Sequence, residues 1–529
     1  MAGLAAWALA VAALAVYLAP KGHNAVLAGA AVAGIVLAAA GAALLLRRPW
    51  LLALAALACV PARISVTVGS TQANLLIPLY GVAAAAALAL AWELLKGDTR
   101  ARELGPVALP LAAFTGWTGL SLLWSQDLRQ GAIALLAFYL PFGLLAVSLA
   151  RLDWRRRWVL ALFAELALMG LIFAVVGIEQ WINRDIFWNP KVLVGNVYAP
   201  FYRVNSLFWD PSIYGRFLVV AMLAVLVVAL YARSLRIVLG AAVAIAAMWV
   251  GLLFSFSQSS FVALAVGALV AACFVWRRRA VLLAALAAVV FLAAVAGSGN
   301  VRNAVFHHSG GGLNRVTSGR SKLVTNGLKL AVHHPVAGVG IGGFKHAYAK
   351  QQHLRTREPK AAASHDTPIT VAAETGVPGL ALLAWLVVAG LLLAFRRARD
   401  DLAGLTGLVC GLILAAIGVH SLFYNAFFED PMVWGALGLA ALAARVPKAP
   451  FEAPPSGRAG SARVPVGADG STRLGSLKKR LLARERDERP EPPQLDRQVE
   501  PEREQDQRVD GRKPDRAGER DLQRLPEDG

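Results

Sequence analysis

Charge is scarce in this sequence. Only 16% of its 529 residues are Asp, Glu, Lys or Arg, against 57% hydrophobic residues. A soluble protein of that length needs more charge to cover its surface, so a soluble globule is excluded. Cysteine is scarcer still. Cys59, Cys273 and Cys410 each lie inside an apolar block, far from one another, and no CxxC spacing points to a metal or redox site. No 20–50-residue repeat is present, which removes solenoids, and no inverted duplication of the kind many transporters carry is visible. Acidic residues are also few beside the 53 Lys and Arg, leaving a net charge of +20. That excess is not gathered into a nucleic-acid-binding surface, because it is parcelled out between apolar runs.

Those runs are what the sequence does contain. Blocks such as Val11–Leu18, Ala25–Leu46, Trp158–Val176, Ile237–Phe254 and Ala280–Ala296 approach the roughly 20 residues that a helix needs to cross a bilayer core. The expectation is an all-α, multi-pass integral membrane protein. The first twenty residues lack a basic start and are followed at once by another run, so they read as a retained first helix rather than a signal peptide. Basic clusters at Arg47–Arg48, Lys96/Arg100/Arg102, Arg151/Arg155–Arg157, Arg233/Arg236, Arg277–Arg279 and Arg396/Arg397/Arg399 alternate with connections poor in Lys and Arg. By the positive-inside rule the clusters are cytoplasmic, which gives about 14 transmembrane helices with both ends inside, and 12 if the short runs near 50–61 and 431–444 do not cross. The membrane domain then covers 1–445, with extracytoplasmic loops at 183–212 and 297–367. From about Val446 the chain becomes Pro-rich, densely charged with both signs and almost free of aromatics, so 446–529 reads as a disordered cytoplasmic tail.

Three stretches carry ionisable groups beside apolar runs, where such groups are costly unless used. In "ASHDTPITVAAETGVPGL" (Ala363–Leu380), Asp366 or Thr367 can cap a helix that starts at Pro368, and Gly376, Pro378 and Gly379 should break it before the span Leu380–Phe395. His365 then precedes a helix N-terminus, whose dipole disfavours imidazolium, while Asp366 favours it. The spacing fits a proton acceptor or a histidine that merely bonds a loop carbonyl. Upstream, Arg320, Lys322 and Lys329 precede "GVGIGG" (Gly338–Gly343). Gly338, Gly340 and Gly343 match the dinucleotide fingerprint by letter only, since no strand precedes them. The turn fits either a backbone cradle for phosphate or a packed turn at a span entrance. The pairs His307–His308 and His333–His334 point apart on any regular element and have no carboxylate at ligand spacing, so no metal is expected. In the first loop, Arg203 and Arg216 flank "VNSLFWDPSIYG". Arg216, just inside a span, is either an anion ligand or the partner of an acid such as Asp210 or Glu179. Glu165 and Glu179 are the other charges expected within spans.

The order of these features resembles the O-antigen ligase and polymerase superfamily of bacterial integral-membrane glycosyltransferases. The resemblance rests on Arg203 with "NSLFWDPSIYG", Arg320 with "HPVAGVGIGGF", and "HDTPITVAAETGVPGL", followed by "HSLFYNAFFEDPMVWGALGLAALAAR" in the place of the last two spans. It covers roughly 160–445; before that only hydropathy agrees. Asp366 stands where the superfamily commonly has Asn, and "FSFSQSS" (Phe254–Ser260) lacks the arginine often found after the serine. The resemblance implies transfer of a glycan from an undecaprenyl diphosphate carrier to a lipid, protein or glycan acceptor at the outer face of the plasma membrane, without metal, nucleotide or other cofactor. His365 would be catalytic, Arg203 and Arg320 would bind pyrophosphate with Arg216 in reserve, and Asp366 and Glu374 would support them. A repeat-unit polymerase is the related alternative. An anion or sugar transporter, or a scaffold acting through its tail, are the alternatives of other classes. Membrane lipids are expected partners and nucleic acid is not.

Overall fold

A computed structural model describes residues 2–19, 24–68, 71–98, 104–187, 189–198, 201–282, 285, 289, 320–353, 364–396 and 401–447. The tail beyond 447, residues 297–319 and 354–363 of the loop 297–367, and most of the run 280–296 lie outside the described residues. So does the side chain of Arg320.

The elements are α1 (Ala2–Leu18), α2 (Asn24–Arg47), α3 (Leu51–Ala58), β1 (Ile64–Val68), β2 (Thr71–Leu75), α4 (Ile77–Leu95) and α5 (Ala108–Leu120). Next come α6 (Leu128–Ala134), a π-helical turn (Leu135–Tyr139), α7 (Leu140–Ala150), α8 (Arg156–Asn183), α9 (Pro190–Tyr198), α10 (Pro211–Tyr231), α11 (Leu235–Ser255) and α12 (Gln258–Trp276). Then follow α13 (Arg320–His333), α14 (Phe344–Gln351), α15 (Thr367–Phe395), α16 (Leu402–His420) and α17 (Pro431–Arg445). Among the described residues nine helices are long and apolar enough to cross a membrane, and three apolar helices are shorter. The chain is a helical membrane protein.

Two features depart from the expectation. The run near 50–61 forms only the eight-residue α3, about 12 Å long at 1.5 Å per residue, which does not cross a bilayer by itself. After it the chain is not helical. Ile64–Val68 pairs antiparallel with Thr71–Leu75 in a hairpin, with Ile64 opposite Leu75. Ile64, Val66 and Val68 alternate with Ser65 and Thr67, a period-2 pattern of β-branched residues that favours a strand over a helix.

Helices α10 and α16 sit at the centre. Both are apolar on every side and buried along most of their length, as expected for helices surrounded by other helices. Small residues let neighbours approach. The Tyr214 side chain of α10 fills the space left by Gly177 of α8 and Gly251 of α11. At one end of the bundle Arg151 pairs with Asp98 at 3.0 Å and lies 3.9 Å from Glu93, and Arg445 bonds the Ala150 carbonyl. The opposite end holds the three motif stretches.

Candidate active site

The site begins with the break in α15. Asp366 caps the helix by accepting the Ile369 N–H at 2.8 Å, Pro368 occupies the first turn, and Gly376 leaves helical geometry (φ 71°, ψ −173°). Cap and break fall where the sequence places them. Only glycine adopts that backbone without steric cost. Trp117 of α5 donates to the Thr375 carbonyl at 2.8 Å, and Val377 N–H donates to the Pro335 carbonyl at 2.7 Å. The break is therefore held from outside.

The glycine turn packs into this break. Val339 and Gly340 N–H groups donate to the Ala373 and Glu374 carbonyls at 2.9 and 2.8 Å. Ile341 N–H donates to Ser121 Oγ at 3.1 Å, Phe344 N–H to Glu374 Oε1 at 3.3 Å, and the Gly342 N–H also bonds the Glu374 carboxylate. Gly338 and Gly343 N–H groups bond the His334 and Gly340 carbonyls, each at 3.0 Å. Every amide from Gly338 to Phe344 is spent inside the protein. Of the two readings open in the sequence, this is the packed turn and not a phosphate cradle. Glu374 helps hold it.

His365 sits in front of α15 with φ 62°, a left-handed conformation that is uncommon outside glycine. Its neighbours are tied down: Ser364 Oγ donates to the Asp366 carbonyl at 2.7 Å, Thr367 N–H to the Ser421 carbonyl at 2.9 Å, and Thr367 Oγ1 to Asn425 Oδ1 at 2.9 Å. Burial pushes the Asp366 carboxyl above its ordinary range, and the Ile369 N–H opposes the rise. Asp366 therefore supports His365 through the backbone it caps.

His365 lines a cavity of about 320 Å³, shared with Glu374, Gln130, Tyr139, Tyr424, Asn425 and Glu429. The segment Ser421–Asp430, between α16 and α17, forms one wall. Glu429 is 43% accessible because its carboxylate opens into this cavity, yet it lies deep in the protein. Burial raises its pKa, while Arg63 and then Arg216 oppose the rise and Asp430 adds to it. Arg63, just before the hairpin, donates to the Glu429 carbonyl at 2.9 Å and lies 3.9 Å from its carboxylate. Arg216 is 2% exposed, and its Nε stands 2.6 Å from Asp430 Oδ2. The alignment is that of a charge pair rather than a hydrogen bond, and Nη1 and Nη2 of Arg216 have no hydrogen-bond partner among the described residues. Its guanidinium lies 5.9 Å from the Tyr424 ring centroid, behind the cavity wall. His420 approaches the same ring at 5.7 Å and meets Ser259 Oγ at 3.0 Å.

The structure brings His365 and Glu374 together and sets Arg216 behind their cavity. It does not bring Arg203 into the lining. Arg203 instead donates from Nε to the Ser255 carbonyl at 3.0 Å, with its backbone held by Asn196. The partner of Arg216 is neither Asp210 nor Glu179: Asp210 caps α10 at Ser212 and Glu179 accepts from Asn183. Arg63, Gln130, Tyr424, Glu429 and Asp430 were not foreseen from the sequence. The adjacent acids of "FFEDP", set between two apolar runs, were the available signal. Arg63 gave none beyond its charge.

A helical membrane protein with a cavity of ionisable groups beside Arg63 and Arg216 is thus defined. Residues 243–384 match the family model described as O-antigen ligase. The helix led by Arg320, the glycine turn and the His365 stretch fall inside the match, whereas Arg203, Arg216 and the Ser421–Asp430 wall lie outside it. No curated protein matches the chain.

Proposed function

We propose that this protein transfers a glycan from a polyprenyl diphosphate carrier to an acceptor hydroxyl at the outer membrane face, without metal. The observation that carries this reading is the cavity with His365 at its edge, inside a chain that matches the O-antigen ligase family model. The acceptor oxygen attacks the anomeric carbon, the bond from that carbon to the diphosphate oxygen breaks, and lipid diphosphate leaves. His365 takes the acceptor proton, a contribution of about 10²–10⁴ in rate. Charge growing on the leaving diphosphate is stabilised by arginine: Arg320, inside the family match, is the candidate, and Arg203 would have to leave the Ser255 carbonyl to join it. Arg216, already opposite Asp430, serves by fixing the wall rather than by touching substrate. The same chemistry serves a ligase or a repeat-unit polymerase; the acceptor distinguishes them.

The test is reconstitution in liposomes with a glycan on polyprenyl diphosphate and a panel of acceptors, reading lipid diphosphate release. His365→Ala should cut transfer at least a hundredfold, in line with the loss of a general base, while donor affinity is kept. Transfer at the wild-type rate by that variant would remove His365 from the mechanism.

A further inference from the structure

Helix α9 (Pro190–Tyr198) lies between the spans α8 and α10 and is about 14 Å long, too short to cross a bilayer. Its apolar residues form a stripe that the protein leaves bare. Leu193, Val194 and Val197 stand three and four apart, so they share one side, and they are 42, 58 and 77% exposed. Val192 and Asn196 lie on another side and are half-buried. The helix is tied to the protein at both ends, so the stripe cannot turn inward. Asn189, just before it, donates to the Trp209 carbonyl. Near its other end Asn196 accepts the Arg203 N–H at 3.0 Å and donates to the Arg203 carbonyl at 2.9 Å. The chain that follows stacks Phe201 on Phe256 at 4.4 Å, and both rings are exposed as well.

We propose that α9 is an interfacial helix, seated with its stripe in the bilayer surface at the end of α8. A fixed valine-rich stripe in water would leave apolar area uncovered at a cost, and the bilayer is the apolar phase within its reach. The short link from Asn183 to Pro190 keeps α9 at that end of α8, whose Val175 and Ile182 are exposed on a span and therefore face lipid. The level is marked by Arg184, whose guanidinium lies over the Trp181 ring at 4.8 Å and the Tyr202 ring at 4.9 Å. Trp and Tyr collect where a span meets the lipid headgroups, and a cation stacked on them suits the same depth. A helix with one apolar side lies flat at that boundary, with the apolar side in the outer part of the acyl chains. Because Asn196 grips both sides of Arg203, the depth of α9 also sets the depth of the Arg203 backbone, while the Arg203 side chain stays on the Ser255 carbonyl. In the glycan-transfer reading this holds Arg203 at the level of lipid phosphates; the lipid seat itself does not depend on that reading.

Photolabelling of the full chain in liposomes of phosphatidylethanolamine and phosphatidylglycerol tests the proposal. Two phosphatidylcholine probes are compared, one with a diazirine at the headgroup end of an acyl chain and one with it at the methyl end. The shallow probe should label Leu193, Val194 and Val197 and the deep probe should not, while both label the exposed side of α8. Labelling of α9 by neither probe would mean that water or another protein covers the stripe, and equal labelling by both would mean that α9 enters the core; either result would overturn the proposal. These wild-type measurements do not depend on any variant folding. The stripe is exposed, so Val194→Glu/Val197→Glu displaces no packed side chain. It should cut shallow labelling of α9 about tenfold, the ratio that corresponds to keeping one valine out of an apolar phase, and leave α8 labelled as before. Val194→Leu/Val197→Leu should keep the label. A glutamate variant labelled like wild type would also overturn the seat. Labelling of the expected pattern in a protein that transfers no glycan would remove the transfer reading and leave the interfacial helix standing.

Discussion

Asp430 holds two jobs that a single substitution can separate. Its carboxylate lies against the buried Arg216, and its Oδ1 accepts the Met432 N–H that begins α17. Asparagine caps helices about as well as aspartate, so Asp430→Asn keeps the cap and removes the charge. That leaves a buried guanidinium uncompensated, a loss of about 3–5 kcal/mol for a broken buried pair. Thermal unfolding in detergent should show a large fall for Asp430→Asn and a smaller one for Arg216→Met/Asp430→Leu, which removes both charges. Equal falls would mean that the pair contributes only packing. The neighbouring Glu429 adds a pH dependence. Its folded pKa lies above the unfolded value of about 4.3 because burial outweighs the pull of Arg63 and Arg216. The folded state therefore holds this proton more tightly than the unfolded chain. The stabilisation is full below the unfolded value and is lost as pH rises through the raised folded one. Glu429→Gln should flatten the fall in melting temperature with rising pH above about 4.3, and an unchanged slope would assign that fall to other groups.

At the scale of elements, the glycine turn is the joint between α15, α5 and α6. Gly340 has φ 82°, and a Cβ there would overlap the Ser125 backbone. Gly340→Ala should therefore destabilise by more than the ~1–3 kcal/mol of a strained backbone alone, because Ser125 cannot yield without moving its helix-flanking turn. Gly240→Ala in α11 is the contrasting case. Nothing lies within 4 Å of its Cβ, and a helix gains about 1 kcal/mol from that exchange. Measured yields of folded protein after detergent extraction should separate the two; similar yields would contradict the packed turn. The helix break at Gly376 and the cap at Asp366 were legible in the sequence because both are local, decided by residues within one turn. The hairpin was written in the alternation Ile64–Val68 but hidden by the apolar run before it. The Arg63–Glu429 and Arg216–Asp430 pairs were not legible, because each joins segments far apart in the chain and no local signal names the partner. The fate of the turn's amides belonged to the same class. Their acceptors come from Ser121 and Glu374 as well as from the turn itself.

For the molecule as a whole, chemistry and composition divide the chain. Every group assigned to the cavity lies between Arg63 and Asp430, on the helices or on the short segments that join them. The segment after Pro447 is dense in Arg, Glu, Asp and Pro, and poor in the apolar residues that could offset the entropy of ordering it. It also holds none of the candidate catalytic or anion-binding residues. A chain ending at Pro447 should therefore insert, fold and transfer glycan at a rate within about twofold of the full protein, because surface changes remote from a site leave its geometry intact. The comparison must be made at equal amounts of inserted protein, since basic residues near a membrane also attract anionic lipid and can alter insertion. Transfer per inserted molecule is then the deciding quantity. If the shortened chain showed the same thermal stability but no transfer, the tail would have to act on the site directly, and the activity could not be assigned to the helical domain alone.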